Sequence, residues 1–356
     1  MAGQGAVDRG PAAVGAARRR SLPAFLDARL DVLLLIVMTL IVIIVIGRLN
    51  PAWFAIGTLQ TAASQNAPLA IVAVAMTFSI ISGNIDLSPG SMIALTGVIV
   101  GLVFEGTGNL GVGICAGFAF SIAVGLVHAQ LVARLGINAI IVTLAAYVWA
   151  RGLAIGLTGA NAIDINTPFV TLMNTFSLAG ISLPVAMAIV AYLLGWFLLN
   201  RTTMGRYTFA MGGDLRAAER AGINIPRQTM LIFGFMGAMI AVGTVITISQ
   251  VAGAQPLEQQ GFELDAIIAV IVGGSTLTGG QGSVLQTLAG VIFITALNSG
   301  LGNLGLPDAN YSFIKGAIIL LALALQGGAR RLAARRLRAR HATQGGARDV
   351  RAVGVP

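Results

Sequence analysis

Residues 202–226 read TTMGRYTFAMGGDLRAAERAGINIP and form the longest polar, basic stretch between apolar segments of this 356-residue chain. Asp214 is suited to begin a helix here, because its carboxylate can accept hydrogen bonds from the free amides of a first turn. Residues 215–221 can continue that helix, and Gly222 is suited to end it. A helix this short is not stable alone, so we expect it to dock either on a cytosolic partner, or on its own protein or lipid headgroups.

The rest of the chain is unusually apolar. It is 56% hydrophobic and 10% charged, with a mean hydropathy of +0.87, which indicates a protein solvated by lipid. A helix that crosses a bilayer needs roughly 20 apolar residues. The sequence therefore predicts an all-α, polytopic membrane protein with about ten transmembrane helices. The candidate spans are residues 32–48, 66–82, 90–105, 110–133, 138–158, 180–199, 229–251, 264–277, 284–304 and 312–326.

Basic residues are distributed unevenly between the two ends of these spans. With ten spans and a cytoplasmic N-terminus, all but three of the 22 basic residues lie inside; Arg48 lies outside, and Arg151 and Lys315 lie within spans. Positive charge beside a span resists translocation, so this asymmetry sets the orientation. The predicted organisation is a cytoplasmic tail at 1–31, a transmembrane domain at 32–327 with its cytoplasmic loop at 200–228, and a basic cytoplasmic tail at 328–356.

Composition also excludes several functions. The net charge of +9 lies beside the spans, so we expect contact with anionic lipid and no nucleic-acid partner. One cysteine and two histidines predict no metal site and no catalytic residues. The stretch GGSTLTGGQGS at 273–283 lacks the lysine of a nucleotide-binding loop, so the chain itself is expected to bind no cofactor and to be no enzyme.

Two segments interrupt the helical pattern. SGNIDLSPGS at 82–91 and GGSTLTGGQGS at 273–283 both pass through glycines and small polar residues into a new apolar run, and they are candidates for an internal repeat. Non-helical backbone at membrane depth is tolerated only where protein or water surrounds it. We expect broken or short helices here, near a gate at the inner end. The candidate gate or turn residues are Asn84, Asp86, Ser88, Gly279 and Gly280.

Asp86 and three later acids have two interpretations each. Asp86 is either a gate residue or a residue that holds its turn by accepting backbone amides, and turn chemistry favours the second. Glu263 and Asp265 either complement a helix dipole or join Glu258 in an acidic rim on the outer face. Among the charges within spans, Lys315 is expected to snorkel outward, whereas Arg151 is expected to find a partner.

Four blocks resemble one family of membrane proteins. RAAERAG at 216–222 resembles the Glu-Ala-Ala-three-residue-Gly signature of ABC importer permeases, with Arg216 in place of the glutamate. SGNIDLSPGSMIAL from residue 82, NAIIVTLAAYVWARGLAIGLTG at 138–159 and GFELDAIIAVIVGGSTLTGGQGS at 261–283 are similar to the ribose, xylose and galactose branch of those permeases. The blocks stand in the family's order and cover residues 64–327.

The resemblance implies a permease subunit in a bacterial inner membrane with both termini in the cytoplasm. It also implies three kinds of partner: a cytosolic ABC ATPase that binds ATP and Mg²⁺, a periplasmic sugar-binding protein, and a second permease in a homodimer or heterodimer. A rival interpretation, a secondary transporter driven by an ion gradient, would need an acidic or histidine relay within the spans.

The resemblance also assigns expected roles to residues. The residues expected to couple to the ATPase are Gly213, Asp214, Leu215, Arg216, Ala217, Ala218, Glu219 and Gly222. Those expected along the translocation path are Asn66, Thr77, Ser79, Arg151 and Asn298, and Arg151 is expected either to contact sugar hydroxyls or to pair with an acid. Those expected to meet the binding protein are Glu258, Glu263 and Asp265.

Overall fold

A computed structural model describes residues 24–305, 307 and 310–325, with side chains described from residue 33 onward except at Leu178. Most of both predicted tails therefore lies outside the described residues. The helices are α1 Ala24–Leu49, a 3₁₀ turn Pro51–Phe54, α2 Ile56–Gln65, α3 Ala67–Ile81, α4 Pro89–Thr107, α5 Leu110–Ala133, α6 Ala139–Thr158, α7 Pro168–Thr175, α8 Leu183–Arg201, α9 Thr203–Gly213, α10 Leu215–Arg220, α11 Ile225–Val251, α12 Phe262–Val272, α13 Val284–Gly302 and α14 Asn310–Leu325. The strands are β1 Ile163–Asp164, β2 Ser177–Leu178, β3 Ile181–Ser182 and β4 Gly253–Ala254.

Six helices in the described part of the chain are long and apolar enough to cross a membrane, namely α4, α5, α6, α8, α11 and α13. The pair α2–α3, which is bent by 46°, counts as a seventh crossing if it is taken as one span. The protein is thus a helical, polytopic membrane protein, as its composition predicts. The predicted total of about ten spans is not confirmed, since α12 has only 11 residues, and the apolar helices Leu33–Leu49 in α1 and Asn310–Leu325 in α14 are shorter than 18 residues.

α3 occupies the centre of the subunit. All 15 of its residues are buried, and they pack against α11, α8, α12 and α13. Its sequence, APLAIVAVAMTFSII, is apolar on every face, which is the pattern of a helix surrounded by protein. The helix begins at Ala67 with Pro68 in its first turn, where the missing amide of proline costs no helical hydrogen bond.

Two small antiparallel ladders organise the loops on one side of the subunit. β1 pairs with β4, with Ile163 opposite Ala254 and Asp164 opposite Gly253. This pairing joins the segment that follows α6 to the segment that follows α11. β2 pairs with β3 in a hairpin that leads directly into α8.

The first predicted break is present. Helical structure stops at Ile81, residues 82–88 are non-helical, and α4 begins at Pro89. The second predicted break is also present, since residues 273–283 are non-helical between α12 and α13.

Contacts with α4 show the course of the segment that follows α11. A Cβ added at Gly101 would lie 3.0 Å from the Ile163 side chain, and a Cβ at Gly97 would contact Ala254 at 3.8 Å. Further toward the start of α4, Gly90 lies directly against Glu263 and the carbonyl oxygen of Gln259. Gly90 and Gly101 are about 16 Å apart along the helix at 1.5 Å per residue. The chain from residue 254 to residue 263 therefore runs back along α4, toward its first turn.

This inward course is not what the polarity of residues 252–263 indicates, since a polar stretch between two candidate spans usually forms a surface loop. The segment packs inward because glycines on α4 let another backbone approach closely. α12 then starts beside the first turn of α4 and leads to the break at 273–283, where the Gly280 amide donates to the Ile81 carbonyl oxygen at 2.8 Å. The segments 82–107 and 252–272 are thus alike, because each consists of a non-helical stretch followed by a helix. The two helices, α4 and α12, begin side by side.

Candidate functional site

The short helix predicted after Asp214 is present. α10 spans Leu215–Arg220, and the Asp214 carboxylate accepts from the Ala217 amide at 3.0 Å, which is the predicted capping bond. Gly222 has a φ of +84°, a left-handed conformation that favours glycine, and its amide donates to the Glu219 carbonyl oxygen at 2.9 Å. Both ends of the helix are therefore set by the residues predicted for them.

α10 presents most of its surface to the outside of the subunit. Ala218 is buried against the protein, whereas Leu215 is 51% exposed. Arg216, Ala217 and Glu219 are exposed as well. The helix therefore docks on its own subunit through one alanine and leaves an apolar and charged face free. Both interpretations of this helix thus retain support, since one face contacts the protein and the other is open to a partner.

The end of α9 lies against both breaks. A Cβ at Gly212 would overlap the carbonyl oxygen of Ile81, where the first break begins, and would also crowd the Gly280 amide in the second break. A Cβ at Gly279 would lie 3.1 Å from the Gly212 backbone, and one at Gly280 would lie 3.1 Å from Gly213. The segment that carries α10 is thus in backbone contact with the two interruptions of the helical core.

Hydrogen bonds within the first break give Asp86 a structural role. Asp86 is 1% exposed, and its Oδ1 accepts from the Ser88 amide at 2.8 Å and from the Ser88 hydroxyl at 2.7 Å. Asn84 donates to the Ser82 hydroxyl at 3.0 Å. From α6, the Thr143 hydroxyl accepts from the Leu87 amide at 3.0 Å. These bonds hold the turn, as its residue types indicate; a role in gating stays a prediction.

The second break uses two left-handed glycines. Gly279 and Gly280 have φ values of +82° and +74°, and the Thr276 hydroxyl donates to the Gly279 carbonyl oxygen at 2.9 Å. The Thr276 amide also donates to the Gln281 carbonyl oxygen at 3.2 Å. The predicted turn is therefore present at both glycines.

The residues predicted along the path fall into separate places. Thr77 and Ser79 are completely buried in α3, where the Thr77 hydroxyl lies 2.8 Å from the Thr287 hydroxyl. In this conformation, neither side chain is accessible to a solute. Asn66 lies at the bend between α2 and α3, close to Asn298 of α13. The path role of these four residues stays a prediction.

Asn298 belongs to a polar cluster that was not predicted from the sequence. Its amide nitrogen donates to Asp265 Oδ2 at 3.0 Å, and its oxygen accepts from the Tyr311 hydroxyl at 3.1 Å. Lys315 Nζ lies 2.7 Å from Asp265 Oδ1 in a salt bridge. The expectation that Lys315 snorkels outward is therefore wrong, because an acid on α12 lies within its reach.

Arg151 binds backbone rather than a carboxylate. Its Nη1 donates to the carbonyl oxygens of Pro256 at 2.7 Å and Glu258 at 2.8 Å. The Arg151 side chain thereby attaches the inward-running segment 252–261 to α6. Among the described residues it forms no salt bridge, so the expected pairing with an acid is replaced by two carbonyl groups.

The three acids expected on the outer rim do not form a common surface. Glu263 is buried beside Gly90, and Asp265 is engaged by Lys315. Glu258 is partly exposed. A docking role for this group stays a prediction, and Glu258 is the one of the three whose placement fits it best.

Several residues of the site were missed in the sequence. Gly212 was overlooked in favour of Gly213, because two consecutive glycines give no local sign of which one approaches another backbone. Thr143 and Tyr311 were overlooked since an isolated hydroxyl in an apolar run resembles ordinary helix packing. No group of three or more potential metal ligands occurs in the described part of the chain.

These features define a polytopic membrane protein whose broken helices contact an exposed polar segment, α9–α10. A comparison with protein families matches residues 58–323 to the family described as "Branched-chain amino acid transport system / permease component". The chain belongs to this permease family, and it is a transport component of an ABC import system rather than an enzyme.

Curated relatives support this assignment over most of the chain. The ribose import permease protein RbsC of Escherichia coli (strain K12) is 33% identical over 294 residues, which cover 81% of this chain and 91% of the relative. RbsC of Bacillus subtilis (strain 168) is 34% identical over 80% of this chain and 89% of its own length. The L-arabinose transport system permease protein AraH of Escherichia coli (strain K12) is 34% identical over 71% and 77%, respectively.

Proposed function

We propose that this chain is the permease subunit of an ATP-driven, binding-protein-dependent importer of monosaccharides. The observation that carries the proposal is the backbone contact between the end of α9 and both helical breaks, next to the exposed face of α10. Relatives named for ribose and L-arabinose support a monosaccharide as the substrate. The permease makes no covalent change to the sugar.

In this proposal, a cytosolic ABC ATPase docks on α10 and binds the ATP and Mg²⁺. Closure of the ATPase displaces α10 and the end of α9. Because Gly212 contacts Ile81 and Gly280 directly, that displacement reaches α3 and the connection between α12 and α13 without an intervening flexible segment. The helices around α3 then tilt and change which side of the membrane the path opens to.

The proposed chain crosses the bacterial inner membrane ten times, with both termini in the cytoplasm. The crossings are α1, α2–α3, 82–107, α5, α6, α8, α11, 252–272, α13 and α14. Six of these crossings contain a helix that qualifies by itself. The other four are the bent pair α2–α3, the partly non-helical segment 252–272, and α1 and α14, whose apolar helices are shorter than 18 residues over the part searched. The orientation follows from the cytoplasmic excess of basic residues.

Two further partners complete the proposed importer. A second permease, identical or similar, forms the path together with this chain, and a periplasmic sugar-binding protein delivers the sugar at the outer face, where Glu258 is partly exposed. The chain itself is proposed to hold no cofactor.

Reconstitution tests the proposal. Proteoliposomes that contain the permease and its ABC ATPase partner should accumulate labelled ribose, arabinose or galactose only with ATP inside and the binding protein outside. Omission of any one component should abolish accumulation.

The alternative function is that of a secondary transporter driven by an ion gradient, and the same vesicles can test it. In the described residues, the helices that qualify as spans contain one acid, Glu105 near the end of α4, and one histidine, His128 in α5. The proposed crossings 82–107 and 252–272 add the acids Asp86, Glu258, Glu263 and Asp265. Asp86 accepts hydrogen bonds from Ser88, and Asp265 is paired with Lys315, so neither is a free relay group in this conformation. Accumulation driven by a proton or sodium gradient, with the permease alone and no ATP, would contradict the proposal.

A further inference from the structure

A large apolar cavity lies between α8 and α13, apart from the contact between α9 and the breaks. Its volume is about 840 Å³, and its walls come from α8, α13, α1, the 3₁₀ turn, α2 and α3. Trp53, Tyr192, Trp196, Leu288 and Ala296 are among the side chains that line it. It is a groove that is open on one side rather than a closed void in the packed interior.

The cavity has the length of one bilayer leaflet. Along α8 it extends from Val185 to Trp196, a distance of about 16 Å at 1.5 Å per residue. The hydrocarbon core of a bilayer is about 30 Å thick, so one leaflet contributes roughly half of that. An acyl chain that runs parallel to α8 would fit the length of the cavity.

The cavity opens toward lipid. Ile189 and Leu193 of α8 line it and are 46% and 63% exposed, and Leu285 and Ile292 of α13 line it and are 59% and 50% exposed. These side chains belong to helices that qualify as membrane spans. The mouth of the cavity is therefore framed by apolar groups that face the hydrocarbon of the membrane.

A positive charge lies beyond one end of the cavity, about 7.5 Å further along α8 than Trp196. Arg201 is the basic residue of the last turn of α8, and its guanidinium lies 5.6 Å from the centre of the Trp196 ring, which lines the cavity. Guanidinium groups bind phosphate through paired hydrogen bonds. An apolar channel of leaflet length with a cation at one end is complementary to a phospholipid with its phosphate at that end.

We propose that the cavity between α8 and α13 binds one acyl chain of an anionic phospholipid whose phosphate is held by Arg201. The lipid fills the groove beside the central helix α3 and thereby supports the packing of α8 and α13 against it. A second copy of the chain is the competing occupant. The leaflet-length cavity and the terminal arginine favour the lipid, since a protein side chain would not need either.

Tryptophan fluorescence can report on this site directly. Trp53 and Trp196 line the cavity, whereas Trp149 is exposed on α6 outside it. We would replace Trp149→Phe in the full chain, reconstitute it in phosphatidylcholine vesicles, and add small amounts of phosphatidylglycerol brominated on its acyl chains. Brominated phosphatidylcholine at the same fractions serves as the neutral comparison, because bromine quenches tryptophan only at short range.

We expect the anionic lipid to quench at about fivefold lower mole fraction than the neutral lipid, as one basic residue near the headgroup provides a preference of that order. Arg201→Ala should remove this preference. Arg206→Ala, an exposed arginine of α9 that does not line the cavity, should retain it. Ala188→Phe, which fills the cavity wall, should weaken quenching by both lipids.

Two results would overturn the proposal. Equal quenching by both lipids, or an unchanged preference in Arg201→Ala, would exclude the headgroup contact. Efficient disulfide formation between copies of Leu193→Cys in a chain without Cys115, combined with no quenching by either lipid, would assign the cavity to a second copy. Arg201→Ala concerns an exposed residue, so the test does not depend on a variant with an altered core.

Discussion

The α-carbon of Gly212 packs directly against the carbonyl oxygen of Ile81. Gly212 is the penultimate residue of α9, and Ile81 is the last residue of the buried helix α3. No side chain lies between the two, so a displacement of α9 acts on the backbone of α3. The same glycine also crowds Gly280 in the second break, so one position on α9 contacts both interruptions of the core.

This contact predicts opposite behaviour for two adjacent glycines. Gly212→Ala places a methyl group against backbone that cannot rotate away, so we expect a loss of about 1–3 kcal/mol in the free energy of unfolding and a marked loss of uptake. Gly213→Ala meets no atom within 4 Å and should change stability by less than about 1 kcal/mol. Uptake in proteoliposomes and melting in detergent check both variants. Equal behaviour of the two would show that the close approach does not matter for transport.

Gly222 allows a test of backbone conformation separately from space. A Cβ at this position meets nothing within 4 Å, but the φ of +84° costs an ordinary residue about 1–2 kcal/mol. We therefore expect Gly222→Val to uncouple ATP hydrolysis from uptake, because the end of α10 is displaced.

Gly222→Asn is the matched control, since asparagine tolerates the left-handed region better than other side chains. It should retain most of the coupling. The measurement is the ratio of sugar transported to ATP hydrolysed in the reconstituted complex. Loss of coupling in both variants to the same extent would point to a contact with the ATPase that accepts only glycine.

The local features of this site could be predicted from sequence because they depend on neighbouring residues. Asp214 and Gly222 determine the two ends of α10 through a capping bond and a left-handed backbone, and both effects act within a few residues. The two breaks also follow from local glycine and small polar residues, and Asp86 binds Ser88 as turn chemistry predicts.

The course of residues 252–263 could not be predicted in the same way. The segment is polar and follows a span, which is the usual signature of a surface loop. Its inward path depends on Gly90 of a helix more than 150 residues earlier, and on Arg151 in a third helix. Sequence periodicity does not reveal contacts between residues so far apart in the chain. Glu263 was therefore a candidate for the acidic outer rim, although the structure buries it.

Arg151 is expected to hold this segment in place. Arg151→Met removes the donor of both bonds and leaves two part-buried carbonyl groups unpaired, a loss of up to about 1–3 kcal/mol in total. The segment around Leu257, which is 50% exposed, should then open more often. In a chain with Cys115→Ala and Leu257→Cys, a membrane-impermeant maleimide should react severalfold faster when Arg151 is replaced.

Arg151→Lys should restore slow labelling in part, because its ammonium can donate to both carbonyls without the planar geometry of arginine. Gly152→Ala, at an adjacent position with no atom within 4 Å, should label like the parent chain. If Arg151→Met labels at the parental rate while uptake is lost, Arg151 acts on the solute rather than on the segment.

Asp265 and Lys315 should be strongly coupled energetically. Their side chains are 13% and 18% exposed, and the bridge joins α12 to α14 at 2.7 Å. Loss of one partner leaves the other charge buried and unpaired, so Asp265→Asn and Lys315→Met should each cost about 3–5 kcal/mol. The double variant should cost clearly less than the sum of the two, since it leaves neither charge behind.

Glu258→Gln, at a partly exposed acid, is the control and should leave the melting temperature in detergent unchanged. Additive losses in the double variant would mean that each residue acts through other neighbours, with Asn298 and Tyr311 the first to test because both belong to the same cluster.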